Sequence, residues 1–245
     1  MAGTRYAIIG DTHGDFLWTL KVLDHCKDLK ISTVFQVGDW GFLWPGLTKP
    51  NDQIQALADA LHARGQTMYF IDGNHDWHPK LRRKKVWPYN LHYQRRGTTR
   101  TFQNDDGKDV VVGFLGGATS IDKNSRIEGE SWWPEEEILE AELPCDKVDV
   151  LITHDAPEFP HNMAETTLPL GLDYRCRQSR GLIQQAIRNT QPRRLFHGHY
   201  HWPYKGSHQG TEVIGLNCNG RTGGYVIVNH NFEEVTDRIA GWVTK

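Results

Sequence analysis

Residues 5–11 read RYAIIGD, a short apolar run that ends in a glycine and an aspartate and is typical of a buried strand. The pattern returns as TVFQVGD at 33–39 and as TMYFIDGN at 67–74. Between these runs, residues 16–29 and 51–65 space their apolar side chains as amphipathic helices do. This alternation of strands and helices predicts a parallel sheet with right-handed crossovers, and therefore an α/β fold.

The remainder of the chain predicts a second sheet. Residues 91–118 have the alternation of β-hairpins, with NDDGK at 104–108 as a turn. Two more helices are predicted, at 134–143 and 179–190. Further strands are predicted at 147–157, 193–201, 211–218 and 224–230. Because no repeat or low-complexity linker divides the sequence, we predict a single domain over residues 1–245 with two sheets.

The composition is that of a soluble globular protein. Of the 245 residues, 38% are hydrophobic and 24% are charged, and the formal net charge is −2. No overall positive field therefore draws the chain to nucleic acid or to a membrane. The four cysteines form no CxxC pair, which predicts free thiols in a reducing compartment. Since the sequence has no signal-peptide stretch and no membrane-spanning apolar run, we predict a cytoplasmic protein without a membrane partner.

Side chains that can bind metal follow the predicted strands, at the edge where open α/β sheets place their ligand sites. The seven candidate ligands are Asp11, His13, Asp39, Asn74, His154, His199 and His201. Oxygen and imidazole donors without a thiolate suit Mn, Fe, Zn, Co or Ni ions. Seven ligands are too many for one catalytic ion, but they suit two ions if a carboxylate bridges them, and Asp39 is the candidate bridge.

Each of these residues has a simpler explanation when it is taken alone. An HxH pair is often a surface patch, and an aspartate after a strand is commonly a turn or helix-cap residue. If the backbone of DTH and HYH is strand-like, Asp11 faces the site together with His13, and His199 together with His201. His197 would then lie on the same side, either supporting the ligands or serving as a buried core histidine.

The ordered motifs DxH, GD, GNHD, H and GHxH, between residues 11 and 201, resemble the signature of calcineurin-like metallophosphoesterases. The resemblance implies a four-layer α/β/β/α sandwich of two mixed β-sheets, with a dinuclear metal site at the carboxyl ends of the strands. One ion would be held by Asp11, His13, Asp39 and His201. The other would be held by Asp39, Asn74, His154 and His199. His75 is then the catalytic residue that assists the leaving group, while a metal-bridging hydroxide attacks phosphorus.

The motifs depart from those of the family's protein phosphatases, which carry GDxVDRG and GNHE. Phe42 and Leu43 stand where the second aspartate and the phosphate-gripping arginine would be, and Asp76 replaces the glutamate. The GNHD form is similar to that of the phosphodiesterase branch. The resemblance therefore implies a phosphodiesterase acting on a nucleotide, a cyclic nucleotide or an RNA end. Its cofactors would be two divalent ions, with Mn favoured over Fe, Zn, Co, Ni and Mg.

Two other functions stay open. A phosphomonoesterase or protein phosphatase would use the same centre. A non-catalytic metal-binding scaffold is expected to lack a ligand or His75, and this chain retains all of them. Residues 116–137 are similar to a stretch in a subgroup of small bacterial and phage metallophosphoesterases, whose substrates are largely unassigned.

Several residues near the motifs are candidates for contacting the substrate. Arg82 and Arg83 belong to the basic stretch 82–85, which is either a solvated face or a rim that attracts a phosphorylated substrate or an RNA or DNA end. Trp40 and Trp77 directly follow motif residues and could stack nucleobases, with core packing as the alternative. The remaining candidates for substrate contact or ligand support are Asp76, which could orient a histidine, His197 and Arg126.

Overall fold

The computed structural model describes residues 4–46, 49–103, 107–158 and 169–235. Within them, one sheet consists of β1 (Arg5–Ile9), β2 (Thr33–Gln36), β3 (Thr67–Phe70), β4 (Leu91–Tyr93) and β11 (Tyr225–Asn229). The strand order is β11-β1-β2-β3-β4. Strand β11 runs antiparallel to β1, and the other neighbours are parallel. The parallel sheet predicted from the first three strands is confirmed.

The second sheet consists of β5 (Thr98–Gln103), β6 (Asp109–Leu115), β7 (Val150–Thr153), β8 (Arg194–His197), β9 (Tyr204–His208) and β10 (Thr211–Gly215). Its order is β5-β6-β7-β8-β10-β9, with antiparallel pairs at both edges and parallel pairs inside. The hairpin prediction for 91–118 is right only in part, because β4 pairs with β3 in the first sheet. Of the predicted turn at 104–108, residues 104–106 lie outside the described residues.

Four α-helices lie in the described residues: α1 (Phe16–Asp28), α2 (Pro50–His62), α3 (His78–Arg83) and α4 (Leu170–Thr190). Helix α1 begins after Asp15, whose carboxylate accepts a hydrogen bond from the Trp18 backbone N–H at 3.0 Å. Helix α4 starts well before the predicted residue 179. In the described part of the chain, no helix has the length and apolar character that crossing a membrane would require.

Three buried clusters define the layers. Ile9 of β1 packs with Leu23 of α1 and Leu57 of α2 on one face of the first sheet. The opposite face of that sheet meets the second sheet through a separate cluster, which includes Phe35 of β2 and Ile152 of β7. A third cluster joins the outer face of the second sheet to α4. The expected four-layer α/β/β/α sandwich with two mixed sheets is confirmed.

The helix predicted over 134–143 is wrong. This segment contains two short 3-10 turns, Pro134–Glu136 and Glu140–Glu142. The buried Arg96 guanidinium donates hydrogen bonds to the carbonyl oxygens of residues 135, 136 and 137 at 2.7–3.0 Å. An α-helix would need those carbonyls for its own N–H groups. A distant arginine therefore overrides the local preference for a helix.

Candidate metal centre

The candidate ligands occupy tight turns after the strands. The backbone of four of them is left-handed, with φ of 44° at His13, 51° at Asp39, 66° at His199 and 52° at His201. Left-handed conformations are uncommon outside glycine and concentrate at functional sites. The strand-like geometry expected for DTH and HYH is therefore wrong, because β1 and β8 both end before these residues. The turns, and not strand alternation, aim the side chains.

The first group of ligands is compact. One donor atom each from Asp11, His13, Asp39 and His201 can be chosen so that all four lie within 4.8 Å of one another. The His201 Nε2 atom lies 3.0 Å from Asp11 Oδ2, and His13 Nε2 lies 3.4 Å from Asp39 Oδ2. The two carboxylates are buried, whereas the His13 and His201 side chains are 28% and 40% exposed. Solvent therefore reaches this group from the imidazole side.

The second group lies deeper. His154 Nε2 is 3.0 Å from Asn74 Oδ1 and 3.3 Å from Asp39 Oδ1. The His199 ring centroid lies 5.2 Å from that of His154. His199 Nε2 is buried and has no hydrogen-bond partner among the described residues. A buried imidazole nitrogen without a partner is costly unless something binds it, and a metal ion would do so.

Asp39 joins the two groups. Its Oδ2 atom faces His13 and its Oδ1 atom faces His154, which is the arrangement that a bridging carboxylate requires. The Oδ1 atom also accepts the His75 backbone N–H at 2.6 Å, so the carboxylate has a fixed orientation. The donor set of nitrogen and oxygen atoms fits two divalent cations, with Asp39 shared between them.

The electrostatics of the site are dominated by its buried carboxylates. Burial lowers the pKa of His13, but Asp39 outweighs this and raises it to about 9. Against the same effect of burial, Asp39 raises the pKa of His154 to about 10, and Asp11 raises that of His201 to about 10. Burial raises the pKa of Asp39, but the surrounding histidines hold it well below its usual range. A cation placed among these groups would experience the same negative field.

Glycines allow the backbone to approach the ligands. A Cβ atom at Gly198 would lie 1.9 Å from Asp11 Oδ1. At Gly73, it would lie 2.2 Å from Asp39 Oδ1 and 2.6 Å from His154 Nε2. Real Cβ atoms do not make contacts this short, so any larger residue at either position would displace a candidate ligand.

Contacts behind the ligands fix their orientation. The Val37 carbonyl oxygen lies 2.9 Å from His154 Nδ1, which leaves Nε2 free to face the site. Asn74 Nδ2 donates to Ser120 Oγ at 3.1 Å, so its Oδ1 atom points towards His154. Ser120 in turn donates from its backbone N–H and its hydroxyl to the buried Glu136 carboxylate, at 2.8 and 2.7 Å.

His75 lies at the open side of the site. Its ring centroid is 5.8 Å from that of His13, and its side chain is 37% exposed. The Arg126 guanidinium contacts both nitrogens of the His75 ring and also donates to the Asn74 carbonyl oxygen at 3.3 Å. Burial lowers the pKa of His75; Asp39 opposes this effect and Arg126 adds to it. Arg126, a candidate for substrate contact from the sequence, therefore lies directly against His75.

Asp76 supports the backbone and does not orient a histidine. Its carboxylate accepts the backbone N–H groups of Gly73, Trp40 and Gly41 at 2.8, 3.1 and 2.9 Å. These bonds tie the loop after β3 to the loop after β2, which carries Asp39. Asp76 thus connects the two loops, and the prediction that it supports a histidine directly is wrong.

His197 and Trp40 are core residues. Both His197 nitrogens have partners, since Nδ1 lies 2.9 Å from the Gly198 carbonyl oxygen and Nε2 lies 2.8 Å from the Tyr204 hydroxyl. Burial lowers the pKa of His197 to about 4. Trp40 is fully buried and stacks on Phe70, with ring centroids 4.2 Å apart. Trp40 therefore cannot stack a nucleobase.

The other substrate candidates lie on α3 or next to it. Arg82, within α3, pairs with Glu142 at 3.0 Å. Trp77 and Arg83 line a cavity that also includes Leu43. Leu43 lies in the loop after β2, which carries Asp39, and Trp77 lies in the loop after β3, which carries Asn74. Asn219 and Ser120 are polar residues that also follow strands, β10 and β6, so their position after a strand is the sequence signal for them. Asn219 Oδ1 lies 3.0 Å from His13 Nδ1.

Comparison with known proteins agrees with this geometry. A profile described as calcineurin-like phosphoesterase matches residues 4–213, and the chain belongs to this family. Members typically bind two divalent metals, and the family supports a phosphoester hydrolase. The comparison with curated protein sequences gives no significant match.

Solved structures show the same fold at low sequence identity. TT1561 of Thermus thermophilus has a TM-score of 0.56 and 11% identity, over 93% of this chain and 95% of that chain. GAP50 of Plasmodium, described as the anchor in the inner membrane complex, has a TM-score of 0.53 and 11% identity, over 93% and 81%. A dimetal phosphatase from Danio rerio has a TM-score of 0.50 and 12% identity, over 92% of each chain. At these identities the likeness establishes the fold alone.

Proposed function

We propose that this protein is a phosphodiesterase that uses two divalent metal ions, with manganese as the favoured metal. The observation that carries the proposal is the shared Asp39, whose two oxygens face His13 and His154. The first ion would be held by Asp11, His13, Asp39 and His201. The second ion would be held by Asp39, Asn74, His154 and His199.

When bound, the two ions supply activation of water and neutralisation of charge at the phosphoryl group. The protein's own residues hold the metal ions and position the phosphoester. Asp39 and Asp11 hold the negative charge that attracts the cations. His75, at the open side, offers a ring N–H to the oxygen of the leaving group, a role that contributes about 10²–10⁴-fold in rate. Arg126, beside His75, offers guanidinium N–H groups to a non-bridging phosphoryl oxygen.

The charge of the site favours a diester over a monoester. A phosphomonoester carries up to about two negative charges near neutral pH, whereas a diester carries one. Leu43, at the position of the family's phosphate-gripping arginine, is buried in the core. Arg126 reaches the site from a different segment and supplies one guanidinium beside His75. A site with fewer cations around the phosphoryl group suits the singly charged diester better.

The substrate would be a nucleotide, a cyclic nucleotide or an RNA end. We propose residues 1–245 as a single domain. All four cysteines are unpaired, and free thiols support a cytoplasmic location. A phosphomonoesterase and a non-catalytic scaffold are the competing functions, and activity measurements separate them.

The experiment compares bis-p-nitrophenyl phosphate with p-nitrophenyl phosphate, each with and without Mn²⁺, for the wild type and His75→Ala. We expect Mn²⁺-dependent turnover that favours the diester, and a loss of about 10²–10⁴-fold in His75→Ala. Preference for the monoester would contradict the diesterase assignment, and metal loading without turnover of either ester would support a scaffold. Among natural diesters, 2′,3′- and 3′,5′-cyclic nucleotides would then narrow the substrate.

A further inference from the structure

A cavity of about 490 Å³ lies between α3 and the segments that follow β2 and β3. Its lining residues are Leu43, Asn51, Trp77, Pro79, Lys80, Arg83 and Lys84. Leu43 belongs to the loop after β2, which also carries Asp39, and Trp77 follows the loop after β3, which carries Asn74. The Asp76 carboxylate ties these two loops together. The cavity and the metal centre are therefore built on the same pair of loops.

The cavity carries unneutralised positive charge. Lys80, Arg83 and Lys84 line it, and its described lining contains no carboxylate. Across the described residues, none of the three cations forms an ion pair; Lys84 Nζ lies 3.4 Å from the neutral Asn51 Oδ1 atom. Lys80 and Arg83 are exposed at the rim. Such an arrangement attracts an anion, since no internal charge competes for the cations.

The walls of the cavity are apolar and partly aromatic. Trp77 is half-buried, and Leu43 and Pro79 complete an apolar surface next to it. The Lys80 ammonium lies 6.0 Å from the Trp77 ring centroid. A flat apolar ring placed next to cations binds a ligand that combines a planar base with a phosphate. The volume also falls within the range of about 300–1,000 Å³ that is typical of small-ligand sites.

We propose that this cavity, the Trp77 pocket, binds a nucleotide unit of the substrate next to the phosphodiester that is cleaved. The base stacks on Trp77, and the flanking phosphate contacts Lys80, Arg83 and Lys84. The proposal rests on the proposed phosphodiesterase function and names its substrate class as a single-stranded oligonucleotide end. Trp77 takes the stacking role for which Trp40, buried in the core, is not available.

Binding is measured with metal-free protein, so that no hydrolysis occurs, using a fluorescein-labelled oligouridylate of ten nucleotides at several salt concentrations. The variants are Lys80→Gln, Arg83→Gln, Trp77→Ala and Trp77→Phe. Lys85→Gln is the matched control, because Lys85 is an exposed cation of the same basic stretch that does not line the pocket. Thermal unfolding checks that every variant is folded. Uridine monophosphate and inorganic phosphate serve as competitors at constant ionic strength.

We expect Lys80→Gln and Arg83→Gln each to reduce the slope of log affinity against log salt by about 0.7. Trp77→Ala should weaken binding about 5- to 150-fold, and Trp77→Phe should recover part of the loss. Lys85→Gln should bind as the wild type does. Uridine monophosphate should compete better than inorganic phosphate, whereas a ten-nucleotide oligothymidylate should bind similarly to the oligouridylate because stacking tolerates both sugars.

Equal losses of oligonucleotide affinity in Lys85→Gln, Lys80→Gln and Arg83→Gln would overturn the proposal, since binding would then depend on positive charge in general and not on the pocket. Competition by phosphate as strong as that by the nucleotide would also overturn it, because the base would contribute nothing. Turnover of bis-p-nitrophenyl phosphate by the wild type tests the proposed function separately. Turnover together with unchanged oligonucleotide affinity in the Trp77, Lys80 and Arg83 variants would contradict the pocket alone. Pocket-dependent binding without any turnover would contradict the phosphodiesterase function alone.

Discussion

Glu136→Gln should change how the stability of the protein depends on pH. Glu136 is fully buried, and its carboxylate accepts two hydrogen bonds from Ser120. Burial raises its pKa from the ordinary 4.5 to about 7, although the Ser120 bonds oppose the change. At about 1.4 kcal/mol per pKa unit, this rise corresponds to a difference of about 3.5 kcal/mol in folding free energy between the protonated and the ionised Glu136.

The direction of this pH dependence follows from the number of protons that the folded and unfolded states bind. Between pH 4.5 and about 7, the folded state keeps the Glu136 proton while the unfolded state has lost it. Stability attributable to Glu136 therefore falls as pH rises through this window, and the loss is complete above pH 7. Glutamine does not titrate, so the stability of Glu136→Gln relative to the wild type should increase by about 3 kcal/mol between pH 4.5 and 8.

The assay is urea unfolding of both proteins at pH 4.5, 5.5, 6.5 and 8, with the difference in unfolding free energy taken at each pH. Other titrating groups cancel in this difference. Glu135→Gln is the control for the loss of one negative charge, because Glu135 is an exposed neighbour of Glu136. A difference for Glu136→Gln that does not change with pH would contradict the prediction, since Glu136 would then titrate alike in both states.

Three further predictions concern the metal centre. His199→Ala and His201→Ala should each retain about one Mn²⁺ per chain by elemental analysis, whereas His197→Ala should retain about two. Equal metal loss in all three variants would contradict the assignment of His199 and His201 to different ions. Gly198→Ala should weaken metal binding about 10- to 100-fold in calorimetric titration, because the added Cβ displaces the Asp11 carboxylate. Unchanged metal affinity would contradict the close approach of the Gly198 backbone to Asp11. Arg126→Lys should raise the KM for a diester roughly 10-fold, and an unchanged KM with lower kcat would argue against substrate binding by the guanidinium.

The first sheet and the identity of the clustered side chains could be predicted because both depend on local pattern. Apolar runs that end in glycine and a polar residue mark parallel strands, and their carboxyl ends meet at one edge. Asp11, Asp39 and Asn74 follow three neighbouring strands for this reason. The motif order then implied a second sheet, which would bring His154 and the final histidines to the same edge, as the structure does.

The orientation of individual side chains could not be predicted in the same way. Strand alternation predicted that His199 and His201 both face the site. They do so because of left-handed turns, and not because they lie on one side of a strand. Trp40 is adjacent to a ligand in sequence, yet it packs into the core. The helix expected over 134–143 is replaced by turns because Arg96, far away in sequence, binds its carbonyls. Each of these outcomes depends on a long-range contact that local sequence does not encode.

In the proposed mechanism, two divalent ions that share Asp39 as a ligand drive diester hydrolysis. The most direct test titrates chelator-treated protein with Mn²⁺ while measuring bound metal and hydrolysis of bis-p-nitrophenyl phosphate in the same samples. We predict no turnover without metal, and activity that reaches its maximum as bound metal reaches about two ions per chain. Full activity in the metal-free protein, or a maximum at one ion per chain, would contradict the two-ion mechanism.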